Sequence, residues 1–283
     1  MTDIWVCSSC HSINRQRNAR CYKCGSAQAT AATGEMATLR QEQAIATRTV
    51  VAYRPAAALG LATAIFLLAL VAVNVAGLIE SVDLWRFVDA QLTLLQESGT
   101  VDDAAFSARI NQVDRLGWVN LAIVVPALVF FGAWLGRVVA NVPALGGGIP
   151  GTSPARALVN TLIPFVNLRT VPGMIQDVLY RLDPKGGGFF MVMIAWIGLV
   201  GSWILSFVGG WYIRLRVTFD IANAETLDEA IDSVRGLLFA ATILDIVASV
   251  LIGVGALVLI LLMIRIERRS RARDLEIRAV AGV

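Results

Sequence analysis

Four long apolar segments alternate with charged segments along the chain. The apolar segments cover residues 56–79, 117–136, 189–213 and 237–264. A helix needs about 20 apolar residues to cross the hydrocarbon core of a bilayer, and each segment has that length. The pattern therefore predicts an all-α membrane protein with four transmembrane helices in a membrane domain of residues 55–264.

The segments that follow the first and third spans are acidic and also have helical patterns. Residues 80–116 carry apolar positions at helical spacing, which predicts two amphipathic helices. In residues 218–235, Thr226 and Glu229 have the spacing of a capping box at a helix start. We expect these two acidic segments on the same side of the membrane.

The connection between the second and third spans is apolar but interrupted by prolines. Ser153-Pro154 predicts the start of one helix, Pro164 ends it, and Pro172 predicts the start of another. Each helix is too short to span and has one apolar face, so we expect a proline-broken, re-entrant or interfacial pair on the cytoplasmic side. Asn167 and Arg169 lie between the prolines, where their side chains can satisfy freed carbonyl groups. The alternative is that the helix start at Pro172, next to Arg169, binds an anion such as a lipid phosphate.

Composition supports the membrane assignment, since 57% of the residues are hydrophobic and only 16% are charged. The net charge of +3 gives no sign of extensive nucleic-acid binding. Lys and Arg concentrate before the first span, between the second and third, and in a basic tail of residues 265–283. Cytoplasmic loops are enriched in these residues. We therefore expect both termini in the cytoplasm and the protein in the plasma (inner) membrane of a bacterium.

All four cysteines lie near the N-terminus as two C-x-x-C pairs, Cys7/Cys10 and Cys21/Cys24. Four thiolates at this spacing suit one tetrahedral, structural Zn²⁺, whose binding would drive the folding of so short a segment. Rubredoxin-like iron is the alternative, but its cysteine pairs are usually farther apart. We predict a zinc ribbon in residues 1–27 and a flexible linker in residues 28–54.

The N-terminal pattern W-x-C-x-x-C-x-x-x-N, followed by the second cysteine pair, resembles the Ran-binding-protein-2 type of zinc finger. Some members of that family bind single-stranded RNA by stacking bases on the tryptophan, with arginines between the cysteine pairs. Others bind ubiquitin through a Thr-Phe pair, where this chain has His11-Ser12. We favour a ribbon that contacts a protein partner over one that binds nucleic acid. Its candidate interaction residues are Trp5, Asn14 and Arg17.

A second resemblance covers much of residues 57–264. The residues that carry it are Trp134, Arg137, Asn141, Pro164, Asn167, Leu168 and Pro172. This pattern is similar to a bacterial membrane family catalogued as domain of unknown function 4328 (DUF4328). The resemblance implies the fold and the membrane location but no activity. The sequence departs from the family pattern at Arg169 and Tyr180, where tryptophan is more typical.

Three polar residues, Asn74, Asn120 and Asp245, lie inside predicted spans at similar depths. A charged residue inside a membrane is costly unless it is paired, and it often marks a functional site. We favour a structural role for these residues, in which an interhelical hydrogen bond fixes the packing. A single acid is weak support for a transport pathway. A proton or cation site is the alternative.

No catalytic set is visible in the sequence. His11 is the only histidine, no cysteine follows Cys24, and Asp245 is the only acid within a span. We therefore expect a non-enzymatic interaction, sensing or scaffold module; the alternative is a small transporter or channel subunit that uses Asp245. The expected partners are the lipid bilayer and a protein that binds the ribbon. Small residues in the last two spans predict close helix packing, either within the monomer or in a homo-oligomer.

Overall fold

The computed structural model describes residues 4–7, 9–10, 12–15, 20–21, 23–26, 52–183 and 187–281. The chain divides into two units, Met1–Val51 and Ala52–Val283. The first contains the antiparallel strands β1 (Ile4–Val6) and β2 (Ile13–Arg15). Arg17 and residues 28–51 of the predicted linker lie outside the described residues.

The second unit is built from helices. They are α1 (Ala57–Ser98), α2 (Asp103–Asn141), α3 (Pro154–Leu162), α4 (Pro164–Leu182), α5 (Phe189–Trp196), a π-helical turn (Ile197–Gly201), α6 (Ser202–Asn223) and α7 (Leu227–Ala281). In the described part of the chain, α1, α2, the run from α5 to α6, and α7 are long and apolar enough to cross a membrane. The predicted helical fold with four long apolar helices is therefore confirmed.

The long helices continue past the predicted spans. α1 runs on to Ser98, and α2 already begins at Asp103, so the two amphipathic stretches extend the spans and are not separate helices. Only a short turn interrupts them, where Gly99 has φ 69° and the Asp102 side chain accepts a hydrogen bond from the Ala105 N–H (2.9 Å). The predicted capping box is also present, because Thr226 Oγ1 accepts from the Glu229 N–H at 3.2 Å.

The two ends of the helical unit differ in charge, and we name them accordingly. The basic end comprises residues 52–60, 131–183, 187–188 and 259–281, where Arg269 pairs with Asp183 at 2.9 Å. The acidic end comprises residues 80–116 and 214–235, where Gln96 Nε2 donates to Asp228 Oδ1 at 3.0 Å. Each end thus brings together segments that the sequence assigns to one side of the membrane.

The helix break in the central connection lies at Ile163 alone. Ile163 is extended (ψ 111°) and separates α3 from α4, and the Asn167 amide donates to the Thr161 carbonyl across the break (3.2 Å). The prediction that Pro172 starts a helix is wrong, because α4 begins at Pro164 and runs through Pro172. Pro172 has no N–H for the Leu168 carbonyl, and the Trp196 indole N–H supplies that donor at 2.9 Å.

The buried core lies toward the basic end. Fully buried side chains there include Trp134 and Leu135 in α2, Ile175 in α4, and Leu262 in α7. Close backbone packing joins α5 and the π-helical turn to α7, because a Cβ atom on Gly198 in the turn would lie 2.6 Å from the Gly255 Cα, and one on Gly255 would lie 3.0 Å from the Ala195 carbonyl oxygen in α5. The predicted role of small residues in packing the last two spans is confirmed at this pair.

Candidate functional site

Four cysteine side chains meet in the N-terminal unit. The Sγ atoms of Cys7, Cys10, Cys21 and Cys24 all lie within 4.8 Å of one another. The Cys7–Cys24 and Cys10–Cys21 sulfur pairs are 3.5 Å apart. Tetrahedral coordination with bonds of about 2.3 Å would separate the sulfurs by about 3.8 Å. The spacing therefore fits one metal ion held by four thiolates.

Local hydrogen bonds lower the pKa of two of the four cysteines, Cys21 and Cys24. Burial disfavours ionisation of Cys21, but the backbone N–H groups of Cys24 and Lys23 outweigh this effect and lower the pKa of Cys21 to about 6. Hydrogen bonding by Ser26 lowers the pKa of Cys24. A lowered thiol pKa favours the thiolate, which is the form that binds metal.

The candidate interaction residues divide into a structural one and a more accessible one. Asn14 is 3% exposed, and its Nδ2 donates to the Ser12 carbonyl at 2.8 Å, so it fixes the chain next to the cluster. Trp5 lies opposite Asn14 in the strand pair and is partly exposed. Part of the Trp5 ring is therefore available to a partner, while Asn14 supports the fold.

The three polar residues predicted inside the spans line one cavity near the acidic end. Asn74, Asn120 and Asp245 surround a space of about 290 Å³, together with Glu80 and Ser81. Sequence reasoning missed Ser81, although it stands seven residues after Asn74 and thus on the same helix face. A search for polar residues at helical spacing from Asn74 would have found it.

A polar network surrounds this cavity. Ser81 Oγ donates to Asp245 Oδ2 at 2.7 Å, and Arg109 pairs with Glu80 at 2.9 Å. Asn120 Oδ1 is buried without a hydrogen-bond partner among the described residues. The cavity therefore presents carboxylate and amide oxygens to whatever enters it, which is the chemistry of a cation or hydrogen-bond-donor site.

The residues of the membrane-domain motif lie at the basic end and hold helices together. The Asn141 side chain accepts from the Arg54 N–H (3.1 Å) and donates to the Arg54 carbonyl (2.7 Å), which ties the entry of α1 to the end of α2. Trp134 is fully buried, and its Nε1 donates to Glu267 Oε1 at 3.1 Å. Arg137 is half-buried in α2. The motif therefore specifies packing of this end.

Four membrane-length helices indicate a multi-pass membrane protein, and its N-terminal unit carries four cysteines that could bind a metal ion. The family described as "Domain of unknown function (DUF4328)" matches residues 97–268, more than half of the chain, and the chain belongs to this family. The matched range includes Asp245 and the motif residues, while Asn74 and the cysteines precede it. No curated protein and no solved structure matches the chain.

Proposed function

We propose that the protein is a non-enzymatic interaction or sensing module, in which a zinc ribbon binds a protein partner and the helical unit anchors it in the membrane. The observation that carries this proposal is the set of four sulfur atoms within 4.8 Å of one another. Zinc suits such a set, because four thiolates in tetrahedral geometry are typical of structural zinc sites.

The ribbon is of the Ran-binding-protein-2 type. The support for this assignment is that Trp5 lies opposite Asn14 in the strand pair and that Asn14 is buried beside the cysteines. Trp5 is the contact residue for the partner, because aromatic side chains contribute strongly to protein interfaces.

The basic end faces the cytoplasm of a bacterial cell, and the acidic end faces outward. Residues 265–281 are rich in Arg, residues 142–188 carry more Lys and Arg than Asp and Glu, and cytoplasmic segments are enriched in basic residues. The hairpin of α3 and α4 enters the bilayer from that side. Its support is the contact of Gly132 in α2 with Leu158 and the bond from Trp196 to Leu168, which set the hairpin beside apolar parts of the spans.

Metal analysis of the purified full-length protein tests the zinc assignment. We expect about one zinc per chain in the wild type. Cys7→Ser and Cys21→Ser should lose the zinc, while the exposed control Lys23→Gln should keep it. Iron in place of zinc, or an unchanged zinc content in both cysteine variants, would contradict the proposal.

Partner binding is tested by crosslinking in intact cells, comparing the wild type with Trp5→Ala and Cys7→Ser. We expect both variants to lose the same crosslinked protein, because one removes the contact and the other the fold that presents it. Retention of that protein by both variants would refute an interaction through the ribbon.

Labelling with a membrane-impermeant thiol reagent tests the orientation. A cysteine introduced at Ser98 should react from outside intact cells, whereas one at Ser153 should react only after the cells are opened. External labelling at Ser153 would reverse the topology.

A second candidate function is cation binding or permeation through the cavity near the acidic end. It is favoured by the convergence of Asn74, Asn120 and Asp245 on one space. In reconstituted vesicles, Asp245→Asn should reduce cation flux, while Asp83→Asn, which changes an exposed acid, should not. Equal flux in the wild type and Asp245→Asn would exclude this role.

A further inference from the structure

A groove lies between α3 and α4 at the basic end. Its volume is about 580 Å³, and its lining includes Arg156 and Asn160 from α3 and Arg169 and Thr170 from α4. Thr152, from the loop before α3, completes one wall. The groove therefore brings two guanidinium groups and several uncharged polar groups to one place.

The two arginines of the groove have no side-chain partner within the described part of the chain. Both are exposed, and neither side chain makes an ion pair or hydrogen bond there. At the same end, Arg269 pairs with Asp183 and Arg278 with Asp274, at 2.9 and 3.0 Å. Arg156 and Arg169 thus retain their full capacity for an anionic ligand.

The one acid in the groove lining is already neutralised. Asp177 Oδ1 accepts from Arg181 Nε at 2.8 Å, and Asp177 Oδ2 accepts from the Gly151 N–H at 3.1 Å. Both carboxylate oxygens are therefore occupied by protein donors. The groove keeps a net positive charge from Arg156 and Arg169, which favours a phosphate group.

An apolar surface adjoins the charged groove. At the turn of the hairpin, Val159, Leu162, Ile163 and Val166 are 50%, 43%, 42% and 37% exposed. A soluble phosphate would leave these side chains in water, whereas a phospholipid would place its acyl chains beside them. Charge and apolar surface together select a ligand that has both an anionic head and a hydrocarbon tail.

We propose that this groove binds an anionic phospholipid, with Arg156 and Arg169 holding the phosphate and the hairpin turn contacting the acyl chains. The lipid belongs to the leaflet that the basic end contacts. Bidentate guanidinium–phosphate contacts provide orientation as well as attraction. A bound lipid would fix the α3–α4 hairpin against the membrane, independently of any metal in the N-terminal unit.

Lipid titration of the full-length protein in a neutral detergent tests the site, with binding followed by native mass spectrometry. The wild type should bind phosphatidylglycerol more tightly than phosphatidylcholine. The double variant Arg156→Gln/Arg169→Gln should lose about tenfold or more in apparent affinity for phosphatidylglycerol, because it removes two charge-assisted contacts. The control Arg268→Gln/Arg278→Gln makes the same change of charge at the same end and should stay within about twofold of the wild type.

Three results would overturn the proposal. They are equal binding of the two lipids by the wild type, unchanged phosphatidylglycerol binding in the double variant, and equally strong binding of glycerol 1-phosphate, which would indicate a site for a soluble anion. If the double variant does not fold, the single variants Arg156→Gln and Arg169→Gln replace it, and each should weaken binding. Unchanged affinity in both would equally refute the site. Retained lipid binding in Cys7→Ser, which alters only the ribbon, is expected.

Discussion

The basic and acidic ends of the helical unit are stabilised in different ways. At the basic end, Trp134, Leu262 and Ile266 are completely buried, and the motif residue Asn141 binds backbone atoms of another segment. At the acidic end, the buried hydrophobic side chains among the described residues are Val88 and Ile231. Contacts between its helices include ion pairs and side-chain hydrogen bonds, such as that from Gln96 to Asp228, and the ring contact of Phe87 with Phe106.

This difference separates the part of the molecule that defines the fold from the part that can accommodate a ligand. Close packing at the basic end allows one arrangement of α2, α4 and α7, because protein interiors are packed at nearly crystalline density. The cavity near the acidic end contains a buried polar atom, Asn120 Oδ1, that has no hydrogen-bond partner among the described residues. Substitutions should therefore affect stability most at the basic end and its helix crossings.

The largest effect is expected from Gly255→Val. A Cβ on Gly255 would lie 2.7 Å from the Leu199 backbone nitrogen and 3.0 Å from the Ala195 carbonyl oxygen, and backbone atoms cannot move aside cheaply. We expect a loss of about 3 kcal/mol or more in the free energy of unfolding, measured by denaturation in detergent. Gly253→Val is the control, because nothing lies within 4 Å of a Cβ there. Similar losses in both variants would mean that the α5–α7 crossing is not close.

An intermediate effect is expected from Asn141→Leu. The change removes the two hydrogen bonds that the buried Asn141 side chain makes to the Arg54 backbone, which should cost about 2 kcal/mol in the free energy of unfolding. Asn120→Leu is the matched change at the other end and should be nearly neutral, because Asn120 Oδ1 has no described partner to lose. Equal destabilisation by the two changes would remove the contrast between the ends.

The smallest effect is expected from Arg235→Gln at the acidic end. Arg235 pairs with Asp89, but its side chain is 31% exposed and that of Asp89 is 41% exposed, so water and salt weaken the attraction. The loss should be below about 1 kcal/mol in low salt and smaller at high salt. Arg86→Gln, at a pair separated by 3.9 Å with 71% of the Arg86 side chain exposed, should change nothing measurable. A large, salt-independent loss in Arg235→Gln would show that the acidic end also has a rigid core.

The sequence predicted the features that depend on hydrophobic periodicity. It did not predict features that depend on a contact between residues far apart in the sequence. Apolar length predicted the four long helices, and estimated depth grouped Asn74, Asn120 and Asp245, which do line one cavity. Pro172 was assigned to a helix start because the local rule disfavours proline inside helices. The indole N–H of Trp196 donates to the Leu168 carbonyl that Pro172 leaves unpaired. Trp196 lies 28 residues beyond Leu168, so a local sequence rule cannot predict this hydrogen bond.

The full lengths of the long helices could not be predicted from the sequence for a different reason. Hydropathy marks where a helix enters lipid, but the backbone needs no break at that boundary. α7 continues through 55 residues although only its middle is strongly apolar. The absence of described partners for Arg156 and Arg169 could not be predicted from the sequence either, because it depends on which arginines form ion pairs with the nearby acids in the folded chain.

The π-helical turn at Ile197–Gly201 has a consequence for the rotational phase of the third long helix. An α-helix advances by about 100° per residue, and a π-helical turn holds one extra residue. The turn therefore sets the angle between α5, which carries Ala195, and α6, which carries Ser206, a residue that lines the cavity with Asp245. Deletion of one residue from the turn would rotate Ser206 away from the cavity while the contact between Ala195 and Gly255 stayed in register. The turn thus allows the same long helix to pack closely against α7 on one face and to place Ser206 at the polar cavity on another.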